Sequence, residues 1–320
     1  MNLTSRDHFN NRAIAVFGDS ITHGANCPDI PAQSYIGVVK RKLMQNYGLK
    51  NYGYASMESS MWNSGGRYDE LHQITQNTPW QELRDGKLLG TFALQSQQKG
   101  DSLTIALREP YAYAYVYAAP GSGDFSVSNG GKTPVTAVTP SFAKEGKKGL
   151  RSEPIKLGGS AITITALTDE PVTLCGMGYY NDLDGHVLNN YANNGLRLVG
   201  ISDEILEIMA KVDTAIFSLG YNDSHFPTDT AEFTRKIDLL IAAFNRHGTK
   251  LYVNDLCWNL PESDHFRSEI KRLAQSVSHA VRVPQVTEIA ERELLDGVGA
   301  HPNVEGHGLQ AAALIAAMEL

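Results

Sequence analysis

Residues 13–24 read AIAVFGDSITHG, and this stretch decides the fold. Its first five residues are apolar, include the β-branched Ile14 and Val16, and end at Gly18, a pattern typical of a buried strand. Residues 35–47 follow with apolar side chains at helical spacing. A buried strand followed by an amphipathic helix predicts that the chain opens with an α/β unit.

The alternation of strands and helices returns after residue 182. Strand-like runs are predicted at 186–191, 214–219, 250–254 and 281–283, and helices at 203–211, 230–247, 264–280 and 308–320. Strands that alternate with helices imply a parallel sheet with helices on both faces.

The middle of the chain has a different pattern. Short segments such as SLTIAL and AITITAL alternate apolar and polar residues, and clusters such as PGSGD separate them. Alternation at period two predicts antiparallel strands and hairpins, and several of them suggest a sandwich or jelly roll. We therefore predict a discontinuous α/β domain at residues 1–60 and 183–320, interrupted by an inserted antiparallel β-sandwich domain at residues 61–182.

Composition excludes several classes of protein. The chain has 320 residues and a formal net charge of −7 at pH 7, with 28 Lys and Arg against 35 Asp and Glu. An acidic chain without a basic block is a poor candidate for binding nucleic acid, so we expect no such partner. Cys27, Cys175 and Cys257 form no CxxC pair, which argues against a disulfide framework and a thiolate zinc site. No apolar run reaches about 18 residues, so no membrane insertion is predicted.

The N-terminal stretch MNLTSRDHFNNR is polar and lacks the apolar segment of a secretory signal. This favours a cytoplasmic location, although an extracellular protein or a component of a phage particle could share these features after processing. The sequence leaves the oligomeric state open.

Three polar motifs lie where chemistry is expected. Ser20 follows the first strand, at the sheet edge where α/β folds place ligands and where free backbone N–H groups can hold an oxyanion. Asn222, in GYND, follows the strand at 214–219, and its side-chain amide can donate to an oxyanion without titrating. His301, in DGVGAHPN, precedes the C-terminal helix and is placed to accept the Ser20 proton if a carboxylate holds its tautomer.

In this order, GDSITHG, GYND and DGVGAHPN resemble the motifs of the SGNH/GDSL hydrolases, a family of esterases and acyl hydrolases. The resemblance covers roughly residues 11–60 and 183–320. It implies a flavodoxin-like, three-layer α/β/α fold, a Ser nucleophile, and an oxyanion hole built from a Ser, a Gly and an Asn.

The resemblance also implies roles for the matching residues. Ser20 is expected to be the nucleophile and a backbone oxyanion donor, and Asn222 the side-chain donor. His301 is expected to be the general base. Asp19 is expected to be the structural carboxylate beside the Ser.

The family places its Gly donor five residues after an Asn that follows the second strand. Asn190 puts Gly195 at that position, whereas Asn51 puts Ser56 there and departs from the pattern. We predict Gly195, because a side chain there could block the acyl group or the backbone geometry. This choice inserts the β domain between the first helix and the second strand, which resembles SGNH members with an inserted β-sandwich, often associated with carbohydrate O-acyl groups.

The catalytic acid also departs from the family pattern. The family's Asp usually lies three residues before the His, but Val298 occupies that position, and Asp296 lies five residues before His301. We predict that Asp296 reaches His301 through a bulged loop. The alternative is a Ser-His dyad, aided by a backbone carbonyl.

The resemblance implies a serine esterase with no cofactor that hydrolyses a small acyl ester through an acyl-enzyme intermediate, with an O-acetyl group on a carbohydrate as the favoured substrate. A lipid or thioester acyl hydrolase is the alternative enzyme, and a non-catalytic carbohydrate-binding protein is the alternative of another class. His23, His225 and His307 form no compact ligand set, so no metal is predicted. The run YAYAYVYA could stack on sugars, but its period-two spacing also suits packing within a sandwich.

Overall fold

The computed structural model describes residues 13–48, 50–60, 72–129, 136–138, 151–183, 185–255, 263–284, 286–295 and 301–320. Within these ranges the strands, in chain order, are β1 (Ala13–Gly18), β2 (Gly53–Ser56), β3 (His72–Gln76), β4 (Gln81–Arg84), β5 (Phe92–Gln95), β6 (Ser102–Leu107), β7 (Tyr113–Ala118), β8 (Phe125–Ser128), β9 (Thr136–Val138), β10 (Ile155–Lys156), β11 (Ala161–Ala166), β12 (Thr173–Tyr180), β13 (Val187–Asn190), β14 (Thr214–Ser218), β15 (Lys250–Asn254) and β16 (Ala280–Val283). The α-helices are α1 (Ser20–His23), α2 (Ile30–Gln33), α3 (Tyr35–Tyr47), α4 (Asp203–Ala210), α5 (Tyr221–His225), α6 (Thr230–His247), α7 (Asp264–Ser276), α8 (Glu288–Glu291) and α9 (Val304–Met318). None of the helices in these ranges is both long and apolar enough to cross a membrane.

Five strands form a parallel sheet in the order β13–β1–β14–β15–β16. This is the 2-1-3-4-5 order of flavodoxin-like folds when the five strands are numbered along the chain. Helices α3 and α9 contact each other, while α4, α6 and α7 form a second packed set. The ring of Phe17 in β1 meets Phe244 of α6 edge-on, with ring centroids 5.8 Å apart. Helices thus enclose the apolar strands of a mixed α/β protein.

Two antiparallel sheets are formed by residues 53–180. One has the order β10–β7–β12–β5–β4, with β2 also paired to β12, and the other has the order β3–β6–β11–β8–β9. Apolar side chains from both sheets form one buried cluster that includes Phe92 and Val116 of the first sheet and Ile105 and Phe125 of the second. The two sheets therefore share a core separate from that of the parallel sheet.

The first antiparallel sheet also packs against the α/β part through tyrosine side chains. Tyr54 of β2 lies between Tyr117 and Tyr191, with ring centroids 5.0 and 4.9 Å away. Tyr115 packs edge-on against Tyr180 at 4.9 Å. Two tyrosines of the YAYAYVYA run, Tyr115 and Tyr117, are thus buried and cannot stack on a bound sugar.

The order of strands shows where the chain leaves the α/β part and where it returns. β13 pairs in parallel with β1, so the second strand of the parallel sheet follows the antiparallel sheets in the sequence. β2 lies within residues 1–60, which the sequence analysis assigned to the α/β domain, yet it pairs with β12 in an antiparallel sheet. The antiparallel part therefore begins at residue 53 and not at residue 61, because a four-residue apolar strand carries the same pattern in either kind of sheet.

Helix α9 begins four residues earlier than predicted, at Val304. The side chain of Asn303 accepts a hydrogen bond from the backbone N–H of Gly306 at 3.0 Å and so caps the helix. Gly306 and Gly308 obscured this start, because glycine is a poor helix former. The cap fixes the direction in which the chain enters α9, directly after His301.

The tight corner between α2 and α3 provides a test of the packing. A Cβ atom on Gly37 would lie 2.6 Å from the carbonyl oxygens of Ile30 and Pro31, so we expect Gly37→Ala to lower the free energy of unfolding by about 1–3 kcal/mol. Gly308 lies within α9, and a Cβ there would meet nothing within 4 Å. Gly308→Ala is the matched control and should raise stability by about 0.5–1 kcal/mol. Urea denaturation measures the free energy of unfolding of both variants, and equal changes in the two would contradict the close contact at Gly37.

Candidate active site

The end of β1 and the start of α1 form the loop that carries Ser20. Asp19 precedes the helix, and its Oδ1 accepts a hydrogen bond from the backbone N–H of Ile21 at 3.0 Å. A Cβ on Gly18 would lie 2.2 Å from the Cβ of Thr22, so only glycine fits there without displacing the helix. Ser20 is therefore the first residue of α1, at the carboxyl end of the first strand, where parallel sheets bind ligands.

His301 lies beside Ser20 although 281 residues separate them. The distance between Ser20 Oγ and His301 Nε2 is 2.8 Å, which is hydrogen-bond distance. When the hydroxyl donates, Nε2 is the acceptor and the ring proton is on Nδ1. A bridge between Leu295 and Pro302 and the Asn303 cap hold the chain next to His301. This contact between Ser20 and His301 has the geometry that a nucleophile–base pair requires.

Asn222 is in α5, directly after β14, and is buried. Its Nδ2 donates a hydrogen bond to the backbone oxygen of Leu196 at 3.2 Å. Because Gly195 is the preceding residue, this bond ties α5 to the chain segment that contains the predicted Gly donor.

Gly195 has a φ of +70°, in the left-handed region that favours glycine. It is exposed, and a Cβ there would meet no protein atom within 4 Å. The need for glycine in this structure therefore comes from the backbone conformation and not from crowding by the protein. A residue with a side chain would raise the energy of this loop by about 1–2 kcal/mol.

The chain between β13 and Gly195 continues to run beside β1. The backbone N–H of Tyr191 donates to the oxygen of Val16 at 3.1 Å, and that of Asn193 donates to the oxygen of Gly18 at 3.3 Å. Ser56, the alternative donor position, contacts this segment through its hydroxyl, which donates to Asn193 Oδ1 at 3.0 Å. Of the two positions, only Gly195 follows a strand of the parallel sheet.

Two carboxyl groups, those of Asp19 and Asp223, are buried in the loops that carry Ser20 and Asn222. Burial, opposed by the hydrogen bond from the Ile21 N–H and assisted by the charge of Asp223, raises the pKa of Asp19 to about 7. Burial also raises the pKa of Asp223 to about 6, although its oxygens accept hydrogen bonds from the backbone N–H groups of Leu198 and Val199 at 2.8 and 3.2 Å. The Oδ2 atom of Asp19 is buried and has no hydrogen-bond partner among the residues that the structure describes. A neutral Asp19 is therefore favoured up to about pH 7.

The remaining predicted residues fall into two groups. Asp296 lies outside the described residues, so its proposed contact with His301 stays a prediction. Among the residues that the structure describes, no cluster of three His, Cys, Asp or Glu side chains could hold a metal ion. His23 contacts the backbone oxygen of Ala192 at 3.3 Å, His225 stacks on Tyr221, and burial lowers the pKa of His307 to about 4.

Glu58 and Arg84 lie beside this site, and sequence reasoning did not find them. Glu58 is buried, pairs with the Arg84 guanidinium, and accepts a hydrogen bond from the backbone N–H of Asn194 at 3.0 Å. Neither residue lies in a motif or beside Ser20 in sequence, so no local pattern marks them.

No protein-family model matches the chain, and no curated protein matches it in sequence. Among solved structures, it is similar to a peptidoglycan O-acetylesterase, with 17% identity over 97% of this chain and 90% of that chain and a TM-score of 0.67. A family two carbohydrate esterase from Clostridium thermocellum in complex with cellohexaose has 14% identity over 77% and 98% of the two chains, with a TM-score of 0.32. A lipase/acylhydrolase from Enterococcus faecalis has 18% identity over 42% and 76%, also with a TM-score of 0.32. The chain has the SGNH hydrolase fold that its motifs predicted.

Because the Asp19 carboxyl is buried, the free energy of unfolding should depend on pH in a specific way. The pKa of Asp19 is higher in the folded state than in the unfolded chain. The stabilising contribution of its protonated form is therefore fully present below about pH 4 and is lost as pH rises through about 7. Asp19→Asn keeps an oxygen for the Ile21 N–H but cannot ionise. We expect the variant to gain stability relative to the wild type between pH 4 and pH 7, by up to about 4 kcal/mol.

Urea denaturation at several pH values measures this gain. Ser20→Ala, which keeps both carboxyl groups, is the control and should retain the slope of the wild type. A difference between Asp19→Asn and the wild type that is constant from pH 4 to pH 8 would contradict the burial argument.

Proposed function

We propose that the protein is a serine esterase that removes a small acyl group, with O-acetyl on a carbohydrate as the substrate class. The observation that carries this proposal is the 2.8 Å contact between Ser20 Oγ and His301 Nε2 at the carboxyl end of β1. Seryl esterases require such a contact, because the hydroxyl becomes a nucleophile only as a base removes its proton.

In the proposed reaction, Ser20 attacks the ester carbonyl while His301 accepts the hydroxyl proton. The oxyanion of the tetrahedral intermediate accepts hydrogen bonds from the backbone N–H groups of Ser20 and Gly195 and from the Asn222 amide. The Asn222 amide has two hydrogens and gives one to Leu196, so the other is available to the oxyanion. His301 then protonates the leaving alcohol, and water releases the acyl group from Ser20 by the same steps.

The substrate class is supported by the extent of the structural similarity. The likeness to the peptidoglycan O-acetylesterase covers 97% of this chain and so includes the antiparallel sheets as well as the α/β part. We propose that the antiparallel part is an inserted β-sandwich that helps to bind an acylated sugar. A lipid or thioester hydrolase would need a long apolar surface for the acyl chain, and the sequence offers no long apolar lid.

The first test uses 4-nitrophenyl esters of increasing acyl length and an acetylated sugar. We expect the highest kcat/KM for acetyl and a fall with chain length. Ser20→Ala should lose at least about 1000-fold in kcat, because the nucleophile is absent, and should not react with a fluorophosphonate. Ser202→Ala, at the N-cap of α4, is the control and should keep the activity. The mechanism would be refuted if Ser20→Ala turned over substrate like the wild type, or if the wild-type protein bound the acetylated sugar without hydrolysing it.

The second test addresses the acid. If Asp296 holds the His301 tautomer, Asp296→Asn should lower kcat by about 10,000-fold with the fold intact. Asp264→Asn changes an exposed carboxylate at the start of α7 and should leave kcat unchanged. A loss below about tenfold, equivalent to about 1.4 kcal/mol, would instead indicate a Ser-His dyad.

A further inference from the structure

Two residues of the antiparallel part form hydrogen bonds with the segment 193–195, which belongs to the α/β part. Glu58 follows β2, and its Oε2 accepts the backbone N–H of Asn194 at 3.0 Å. Arg84, the last residue of β4, donates from Nη1 to the backbone oxygen of Asn194 at 3.2 Å and pairs with Glu58 through Nη2. Both backbone groups of one loop residue are thus bound by a single ion pair.

The bond to the Asn194 oxygen has a geometric consequence for Gly195. That oxygen and the Gly195 N–H belong to the same peptide group, which is planar and trans, so the two point in opposite directions. When the Arg84 guanidinium holds the oxygen on the side of the antiparallel sheet, the Gly195 N–H must face away from that sheet.

The loop cannot fix this orientation by itself. Gly195 has a φ of +70°, and glycine adopts positive and negative φ with similar ease, so the peptide before it can rotate at low cost. Asn193 is anchored separately, by the Ser56 hydroxyl on Oδ1 and by a hydrogen bond from Nδ2 to the Gly90 oxygen. The backbone N–H of Leu196 donates to the Asn193 oxygen at 3.2 Å and closes a turn, and either orientation of the central Asn194–Gly195 peptide is compatible with that bond. The bonds to Asn194 therefore decide the direction of this peptide.

The ion pair is itself held in place. The Glu58 side chain is fully buried, so its charge requires the Arg84 guanidinium and the Asn194 N–H as partners. The guanidinium carbon lies 5.4 Å from the centroid of the Phe92 ring, which supports the arginine from the neighbouring strand. A planar guanidinium can bind the carboxylate and the carbonyl at once, which a lysine ammonium on a flexible stem does less well.

We propose that Glu58 and Arg84 are positioning residues of the oxyanion hole, which orient the Asn194–Gly195 peptide so that the Gly195 N–H faces the oxyanion formed at Ser20. This inference rests on the proposed esterase function. It assigns to the antiparallel part a role in the chemical step, in addition to any role in binding the sugar. The pair acts through Gly195 and does not touch the substrate.

Arg84→Lys tests the proposal, because it keeps a positive charge beside buried Glu58 but loses the fork that also binds Asn194. We expect kcat for acetyl ester hydrolysis to fall by about 10- to 100-fold, with KM within twofold of the wild type, because an oxyanion donor acts on the transition state. Arg235→Lys is the matched control. Arg235 is 48% exposed and ion-paired on α6, as Arg84 is 45% exposed, and its replacement should leave kcat unchanged.

Double variants separate positioning from a general loss of structure. Combined with Asn222→Ala, which removes the other side of the oxyanion hole, the effect of Arg84→Lys should multiply. Combined with Gly195→Ala, which already disturbs the same peptide, it should be much smaller than the product of the single effects.

A spectroscopic measurement reports the peptide directly. In protein labelled with ¹⁵N-glycine, the Gly195 amide, identified by its loss in Gly195→Ala, should shift downfield when Ser20 reacts with a fluorophosphonate. In Arg84→Lys this shift should be reduced or absent. Unchanged kcat or an unchanged shift in Arg84→Lys would overturn the positioning role alone. A wild-type protein that neither hydrolyses esters nor reacts with the fluorophosphonate would overturn the proposed function, and this inference with it.

Discussion

The parallel pairing of β13 with β1 determines how the chain closes its sheet and where the loops beside Ser20 lie. The register runs from Ala13 opposite Val187 to Val16 opposite Asn190, and two further backbone bonds extend it to Gly18. A shift of one residue would exchange the positions of Leu188 and Asn189, and the buried Asn189 Oδ1, which accepts the backbone N–H of Tyr54 at 3.0 Å, would lose its partner. Although residues 53–180 lie between β1 and β13 in the sequence, the loop after β13 therefore has one fixed position beside β1.

A shared device stabilises the irregular segments around Ser20. Each of three loops presents backbone N–H groups to a buried carboxyl group: Asp19 accepts from the α1 turn, Asp223 from residues 198–199, and Glu58 from Asn194. Loops have no regular backbone partners, and a buried N–H without an acceptor is costly, so side-chain acceptors take the place of a strand or helix. The consequence is that three buried carboxyl groups hold the backbone of the loops around Ser20.

The sequence predicted those parts of the molecule whose determinants are local. The apolar spacing predicted helix α3 at residues 35–47, and in the structure the helix ends there because Gly48 adopts the left-handed conformation. Ser20 and His301 were found because each lies in a short motif, and the structure brings them together. The sheet to which β2 belongs was not predicted, because its four residues fit either sheet. Glu58 and Arg84 were missed for a related reason, since their contact with Asn194 joins positions far apart in the chain and depends on the packing of two layers.

The contact between Ser20 and His301 also has a consequence for the order in which the protein assembles. Within the described residues, the antiparallel sheets pair strands that all lie between residues 53 and 180, so their pairing needs no strand of the parallel sheet. Ser20 precedes α3 and His301 precedes α9, and these two helices contact each other. Contacts of such long sequence separation form slowly, because closing a large loop costs entropy. In a nascent chain, Ser20 is therefore exposed and has no contact with His301 until these distant segments meet.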